Sequence, residues 1–119
     1  VRTYPRGLDV EVFRFETLER ASREAVEPHE REHVTPYMYQ HPDVFRLLPV
    51  TGVTDCSNAR WTVDTSEDME FVRQIYARLS EPFGWREVWS LVERIPGLRT
   101  INEHVVQKSL PSSFTEVGK

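Results

Sequence analysis

The string His29-Glu30-Arg31-Glu32-His33 has the spacing of an H-E-x-x-H zinc motif. On a helix, histidines four residues apart share a face and bind one Zn²⁺, while the glutamate acts as general base toward a metal-bound water. Glu27-Pro28 directly precede His29 here, and the residues between the histidines are charged, whereas a zinc-hydrolase helix is apolar at these positions. No third ligand follows at short spacing, although His41 is a candidate. The motif therefore leaves two alternatives, a zinc hydrolase and a solvated helix start.

A second group of residues with chemical potential consists of carboxylates. Asp9 and Glu11 lie on the first predicted strand, Asp64 ends a later one, and Asp68 follows one helical turn on. Folds of the α/β class bind ligands where a strand ends and a helix begins, and Mg²⁺ prefers oxygen ligands of this kind. Acidic residues in a first helical turn also cap the helix and complement its dipole. Both interpretations of Asp64 and Asp68 stay open.

Two arginines and one cysteine complete the candidates. Arg6 and Arg60 carry guanidinium groups that suit a carboxylate or phosphate of a substrate, although such arginines also form surface ion pairs. Cys56 is the only cysteine, so the chain contains no internal disulfide.

Three short strands are predicted to position these residues. Leu8–Phe15 alternates apolar and polar residues with the period of two that is typical of a half-buried strand. Val44–Val50 and Arg60–Val63 are the other two predicted strands. Asp9, Glu11 and Asp64 would then lie on or beside strands.

About four helices are predicted from the helical spacing of apolar residues. The second contains Pro36, which predicts a kink or two short pieces. The third begins at Thr65, whose spacing to Asp68 is a variant of the capping box. The predicted helices cover residues 16–26, 29–40, 65–79 and 85–94, and residues 96–108 are short and mixed.

Composition restricts the classes of function. The 119 residues include 15 Lys and Arg against 19 Asp and Glu, which gives a net charge of −4 and matches a single domain. A protein that binds nucleic acid without sequence preference needs a basic face, and the sequence has no Lys/Arg cluster. It also has no apolar run of 18 residues, which argues against a membrane segment. With a single cysteine, these observations predict a cytoplasmic protein.

Four strings of residues resemble one known family. They are YPRGLDVEVF at 4–13, EREHVTPYMY at 30–39, RWTVDTSEDMEFV at 60–72 and, more weakly, INEHVVQK at 101–108. In this order they are similar to the C-terminal half of the spore-coat-polysaccharide-biosynthesis and acylneuraminate cytidylyltransferase-like family, which includes the CMP-sialic-acid and CMP-KDO synthetases. The family match treats residues 30–33 as an ordinary helix start, which leaves the zinc hydrolase as a distant alternative.

The resemblance implies an α/β fold, the C-terminal portion of a Rossmann-like nucleotidyltransferase with about three short strands and about four helices. It implies that residues 1–108 are the sugar-side half of the domain and that 109–119 form a polar, weakly ordered tail. In this family a sugar or sugar acid attacks the α-phosphate of CTP, and pyrophosphate leaves with the assistance of Mg²⁺. The match implies that Asp64 is the catalytic, metal-binding aspartate. The substrate-binding residues that it implies are Arg6, Asp9, Glu11, His33 and Arg60.

The chain departs from the family at its front. The triphosphate-binding loop L-x-x-R-x-x-S-x-R-x-P-x-K and the string R-x-x-x-D-x-P, which supplies the partner metal aspartate, do not occur in it. We therefore expect that the chain alone does not transfer a nucleotide, and that it associates with the missing N-terminal half or forms a homo-oligomer. The alternative is a non-catalytic interaction module that pairs through an exposed sheet edge.

Overall fold

Proline, glycine and short polar stretches divide the chain into short helices. In the computed structural model, which describes residues 1–107, every regular element is helical. The elements are α1 (Phe15–Glu24), α2 (Pro28–His33), α3 (Pro36–Gln40), α4 (Ser66–Tyr76), α5 (Trp85–Arg94) and a 3₁₀ helix (Pro96–Ile101). The predicted helices at 65–79 and 85–94 are confirmed, the last with the predicted bounds.

Residues 10–50 form one compact unit, which contains α1, α2 and α3. Pro36 occupies the first turn of α3, where a missing N–H costs nothing, so the predicted helix at 29–40 forms as two short pieces. The small core of this unit consists of Ala21, Ala25, Tyr37 and Met38, with Leu18 and Phe45 packed against it.

Residues 2–9 and 51–107 form the second unit, so the first unit is inserted into its sequence. Its core is larger and lies between α4, α5 and the 3₁₀ helix. Trp61 is partly buried against this core. The buried members are Phe71, Ile75, Val88, Leu91, Val92 and Leu98.

The three predicted strands do not form in the described residues. Leu8–Phe15 is irregular until Phe15 begins α1, and Val44–Val50 is also irregular. Arg60–Val63 contributes a single isolated parallel bridge, between Arg6 and Arg60. Alternation of apolar residues marks a segment that suits a strand, but a strand also needs a neighbour that accepts and donates its backbone hydrogen bonds. Residues 1–107 provide that neighbour only at the bridge, and the predicted α/β class is not confirmed.

Gly7 allows the two backbones of the bridge to approach closely. Arg6 donates its N–H to the Ala59 carbonyl at 2.9 Å, and Trp61 donates to the Arg6 carbonyl at 2.7 Å. Gly7 has φ of +110°, and a Cβ placed on it would lie 2.7 Å from the Trp61 carbonyl oxygen. Only glycine satisfies both conditions. The bridge therefore depends on this residue.

Two further predictions concern the C-terminal tail and the absence of a membrane segment. The tail predicted at residues 109–119 lies outside the described residues. Within residues 1–107, no helix is both long enough and apolar enough to cross a membrane.

Candidate functional site

The start of α4 is held by the predicted capping box. The Asp68 N–H donates to Thr65 Oγ1 at 3.3 Å, and Asp68 Oδ2 accepts the Thr65 N–H at 3.1 Å. Such reciprocal bonds satisfy donors that the first helical turn otherwise leaves without partners. The capping interpretation of Asp68 is therefore confirmed. Asp64 lies between the bridge residue Arg60 and the start of α4.

Asp68 and Arg60 form a buried ion pair beneath the turn. Asp68 has no exposed surface, and Arg60 is buried as well. Nε and Nη2 of Arg60 donate to the two carboxylate oxygens of Asp68 at 2.9 Å each, in the paired geometry of a strong Arg–carboxylate contact. The Arg60 hydrogen bonds hold the pKa of Asp68 far below its usual value, against the opposing effect of burial. The same contact raises the pKa of Arg60.

Two residues from much later in the sequence, Asn102 and Gln107, donate or accept further hydrogen bonds at the Arg60–Asp68 pair. Asn102 Nδ2 donates to the Arg60 carbonyl at 3.0 Å and to Asp68 Oδ1 at 2.9 Å. Arg60 Nη1 donates to Gln107 Oε1 at 2.7 Å. Asn102 belongs to the weak INEHVVQK match, which was the only signal for it in the sequence, and Gln107 carried no separate signal.

Asp64 is the exposed member of this group. Its side chain is 59% exposed, and its Oδ2 accepts from Arg60 Nη2 at 2.9 Å. Its backbone N–H donates to Asp68 Oδ2 at 3.0 Å. The carboxylate thus projects from a fixed position between the bridge and α4.

These residues could contribute one carboxylate, that of Asp64, to a Mg²⁺ site. Asp68 cannot be a ligand because both of its oxygens are saturated by N–H donors. In the described part of the chain, no group of three or more His, Cys, Asp or Glu side chains could hold a metal ion. A magnesium site that uses Asp64 would therefore need further ligands from other residues or from substrate phosphates.

The remaining predicted site residues in the second unit are engaged locally. Arg6 is half-buried and supplies the backbone of the bridge. Asp9 pairs with Arg2 at 2.5 Å and accepts the Gly7 N–H at 3.1 Å. Arg60 donates through Nε to Asp68, through Nη1 to Gln107 and through Nη2 to both Asp64 and Asp68, so its guanidinium is engaged by side chains of the protein itself. The geometry favours a structural role for Arg60 over direct contact with substrate.

Glu11 and His33 lie in the first unit. Glu11 is exposed in the irregular segment before α1. His33 ends α2 with its side chain 41% exposed, and its Nε2 lies 4.0 Å from Glu32. Both positions are accessible, and nothing in the unit brings them together.

The H-E-x-x-H string forms the short helix α2, and its glutamate caps that helix. Glu30 is buried, and its Oε2 accepts the N–H groups of Val26 and Glu27 at 3.3 and 3.2 Å. His29 Nε2 lies 3.3 Å from Gln40 Oε1. A glutamate that accepts backbone hydrogen bonds in a capping box is not a general base toward water. The helix-start interpretation explains the string, and the geometry offers no support for the zinc hydrolase.

Comparison with known proteins gives relatives for most of this chain. No protein-family model matches it. It is 34% identical over 110 residues to an uncharacterized protein of Methanocaldococcus jannaschii, covering 87% of this chain and 44% of the relative. It is 32% identical over 104 residues to the spore coat polysaccharide biosynthesis protein SpsF of Bacillus subtilis, covering 83% and 43%. The chain therefore spans somewhat less than half the length of the curated relatives that it matches.

A solved structure agrees with the sequence relatives. The fold matches a cytidylyltransferase from Leptospira borgpetersenii with a TM-score of 0.78 and 28% identity, over 91% of this chain and 44% of that one. The family resemblance in the sequence is thereby confirmed. The chain is homologous to the spore coat polysaccharide biosynthesis protein SpsF and corresponds in structure to a little under half of a cytidylyltransferase.

Proposed function

We propose that this chain is the sugar-side half of a nucleotidyltransferase that transfers CMP from CTP to a sugar or sugar acid for cell-surface or spore-coat polysaccharide. One observation carries the proposal. In a chain that matches a cytidylyltransferase structure, a half-exposed carboxylate, Asp64, is held at the entrance to α4 by a buried ion pair. A fixed, accessible carboxylate at a helix entrance is the arrangement that a metal-assisted transferase requires of its ligand residue.

Asp64 is the residue that would hold Mg²⁺ in the whole protein. The chemistry that the ion would supply there is neutralisation of the charge on the phosphate oxygens. Arg6 and Asp9 of the second unit, and Glu11 and His33 of the first, stay proposed substrate-binding residues, because their side chains can hydrogen-bond to hydroxyl and carboxylate groups. Arg60 is proposed here to act through Asp64 rather than by touching the sugar.

The proposal includes a division of labour within a longer protein. The triphosphate-binding loop is not among the 119 residues, so the chain alone would bind no CTP and transfer no nucleotide. The remaining part of a Rossmann-like α/β domain would supply that loop, the partner strands and the second metal aspartate, either in the same polypeptide or by association. Catalysis would take place in the cytoplasm, where the single cysteine stays reduced.

The test uses the whole protein that contains this chain. Pyrophosphate release from CTP and a panel of sugars and sugar acids measures the reaction. We expect Asp64→Asn to abolish turnover with the fold retained, because the amide removes the charge but keeps the shape. Asp43→Asn, at an exposed position outside the proposed site, is the matched control and should retain activity. Full activity in Asp64→Asn would refute the assignment of the metal ligand.

A second candidate function rests on exposed apolar side chains. Val10 and Val12 are 84% and 94% exposed, and Leu48 and Val50 are also exposed, in segments whose pattern predicts strands. Unpaired segments of this kind are templates for pairing with another chain. The alternative proposal is a non-catalytic module that oligomerises through them.

Two measurements on the 119-residue chain test these proposals separately. Light scattering should show concentration-dependent association if the chain is an interaction module, and a strict monomer at high concentration would oppose that alternative. Calorimetry with CTP and Mg²⁺ should show no binding. Micromolar affinity for CTP would overturn the proposed division of labour.

A further inference from the structure

Asp68 is positioned to hold other residues and has no capacity left for a ligand. Its Oδ1 accepts from Arg60 Nε and Asn102 Nδ2, both at 2.9 Å. Its Oδ2 accepts from Arg60 Nη2 and from the backbone N–H groups of Asp64 and Thr65. A carboxylate offers about four acceptor positions, so five donors saturate it. Asp68 is therefore a fixed anchor in the interior of the second unit.

Arg60 connects the buried Asp68 to the exposed Asp64. Its Nη2 donates at 2.9 Å both to Asp68 Oδ2 and to Asp64 Oδ2. A guanidinium is planar and presents its donors in a fixed geometry, so an oxygen bound to it is fixed relative to the others. The backbone carbonyl of Arg60 accepts a hydrogen bond from Asn102 Nδ2, and this contact fixes the position of the Arg60 backbone.

Two separate contacts therefore fix Asp64. Asp68 holds its backbone N–H, and Arg60 holds its Oδ2. Among residues 1–107, no donor contacts its Oδ1. An aspartate side chain that is 59% exposed would otherwise sample several rotamers.

We propose that Arg60 and Asp68 are positioning residues that lock the rotamer of Asp64 and present its Oδ1 to a divalent cation. The proposal rests on the proposed function for the role of Asp64, but the locked rotamer is a property of this chain alone. Lysine cannot replace Arg60 here, because a single ammonium cannot span Asp64 and Asp68 in the fixed geometry of a guanidinium. The conservative substitution Arg60→Lys therefore keeps the charge and removes the positioning.

The first experiment measures the rotamer of Asp64 in the 119-residue chain by NMR Hα–Hβ couplings. We expect one χ1 rotamer in the wild type and averaged couplings in Arg60→Lys. Thr65→Ala is the matched control, since it weakens the same helix start through the bond from the Asp68 N–H but leaves both contacts to Asp64. Urea unfolding of both variants shows whether their losses of stability are comparable.

The second experiment measures the Mg²⁺ concentration for half-maximal turnover in the whole protein. We expect Arg60→Lys to raise it about tenfold or more, as loss of a residue that orients a metal ligand commonly does, with KM for CTP unchanged. Thr65→Ala should leave it within about twofold, because that variant does not touch Asp64.

The outcomes separate this proposal from the proposed function. Averaged couplings in the wild-type chain, or unchanged couplings in Arg60→Lys, would overturn the locked rotamer. The wild-type measurement decides even if Arg60→Lys does not fold. If Asp64→Asn retained activity while Arg60→Lys released the rotamer, the proposed role of Asp64 as metal ligand would fall and the locked rotamer would stand.

Discussion

Asn102 Nδ2 donates a 2.9 Å hydrogen bond to Oδ1 of Asp68, which lies 34 residues earlier in the chain. The same amide donates to the Arg60 carbonyl. Because both Asn102 and Asp68 are buried, this contact joins the end of the 3₁₀ helix to the first turn of α4 without access to water. The start of α4 is thus stabilised by a residue on a different element.

Removing Asn102 should destabilise the second unit. Asn102→Ala leaves the buried Arg60 carbonyl and one Asp68 acceptor without this donor, so we expect a loss of about 1–3 kcal/mol in the free energy of unfolding. Asn102→Asp should be worse, because it places a second carboxylate beside Asp68. Urea unfolding measures both, with Asn58→Ala at an exposed position as the control. A loss in Asn102→Ala no larger than in the control would contradict the role of the contact.

Acid should weaken the fold through Asp68. Hydrogen bonds from Arg60 hold its pKa far below the usual 3.8, so folded Asp68 stays ionised where the unfolded chain takes up a proton. This contribution to stability is complete above about pH 4 and falls by about 1.4 kcal/mol per pH unit below it, until the folded pKa is reached. Carboxyl ¹³C shifts of Asp68 followed from pH 6 downward test this. Titration of Asp68 near pH 3.8 in the folded chain would refute it.

Gly7→Ala should break the bridge between Arg6 and Arg60. The new Cβ would lie 2.7 Å from the Trp61 carbonyl oxygen at a φ that disfavours alanine, so we expect a loss of about 1–3 kcal/mol. Gly97→Ala is the control, since no atom lies within 4 Å of its Cβ position and its φ needs no glycine. We expect that variant to be neutral or slightly more stable. Thermal unfolding of the pair measures the difference, and equal midpoints would contradict this account.

Glu30 should contribute to the stability of α2 and should take no part in zinc binding. Glu30→Ala removes the acceptor for the N–H groups of Val26 and Glu27, and loss of such a cap commonly costs about 1 kcal/mol. Glu32→Ala, at an exposed position in the same helix, is the control. Addition of a chelator should leave the unfolding midpoint unchanged. One zinc ion per chain that survives dialysis would restore the hydrolase interpretation.

The helices were predictable because their signals are local. Thr65 and Asp68 form a capping box from four consecutive positions, and Pro36 can only begin a helix or break one. The strands were not predictable from the same kind of pattern. Val10 and Val12 alternate correctly, but pairing depends on a second segment at another place in the chain, and the described residues offer none beside them.

The candidate site was partly predictable for the same reason. Asp64 stood out because it follows a predicted strand and precedes a capped helix. The burial of Arg60 and the contribution of Asn102 depend on contacts across 42 residues, which spacing does not encode. Chemical type suggested that Arg60 could bind a substrate, and the structure shows its guanidinium donating to three side chains of the protein, from which we propose that it supports Asp64.

The contact of Arg60 with Gln107 bears on the order in which the chain folds during synthesis. The second unit begins at residues 2–9, is interrupted by residues 10–50, and includes Gln107 near the end of its described part. Contacts between residues far apart in sequence form late because the intervening chain must first be ordered. During synthesis on the ribosome, almost 50 further residues must therefore emerge after Arg60 before its guanidinium can bind Gln107. Until then, the buried charges of the network have to remain hydrated, so the second unit closes only once Gln107 has emerged.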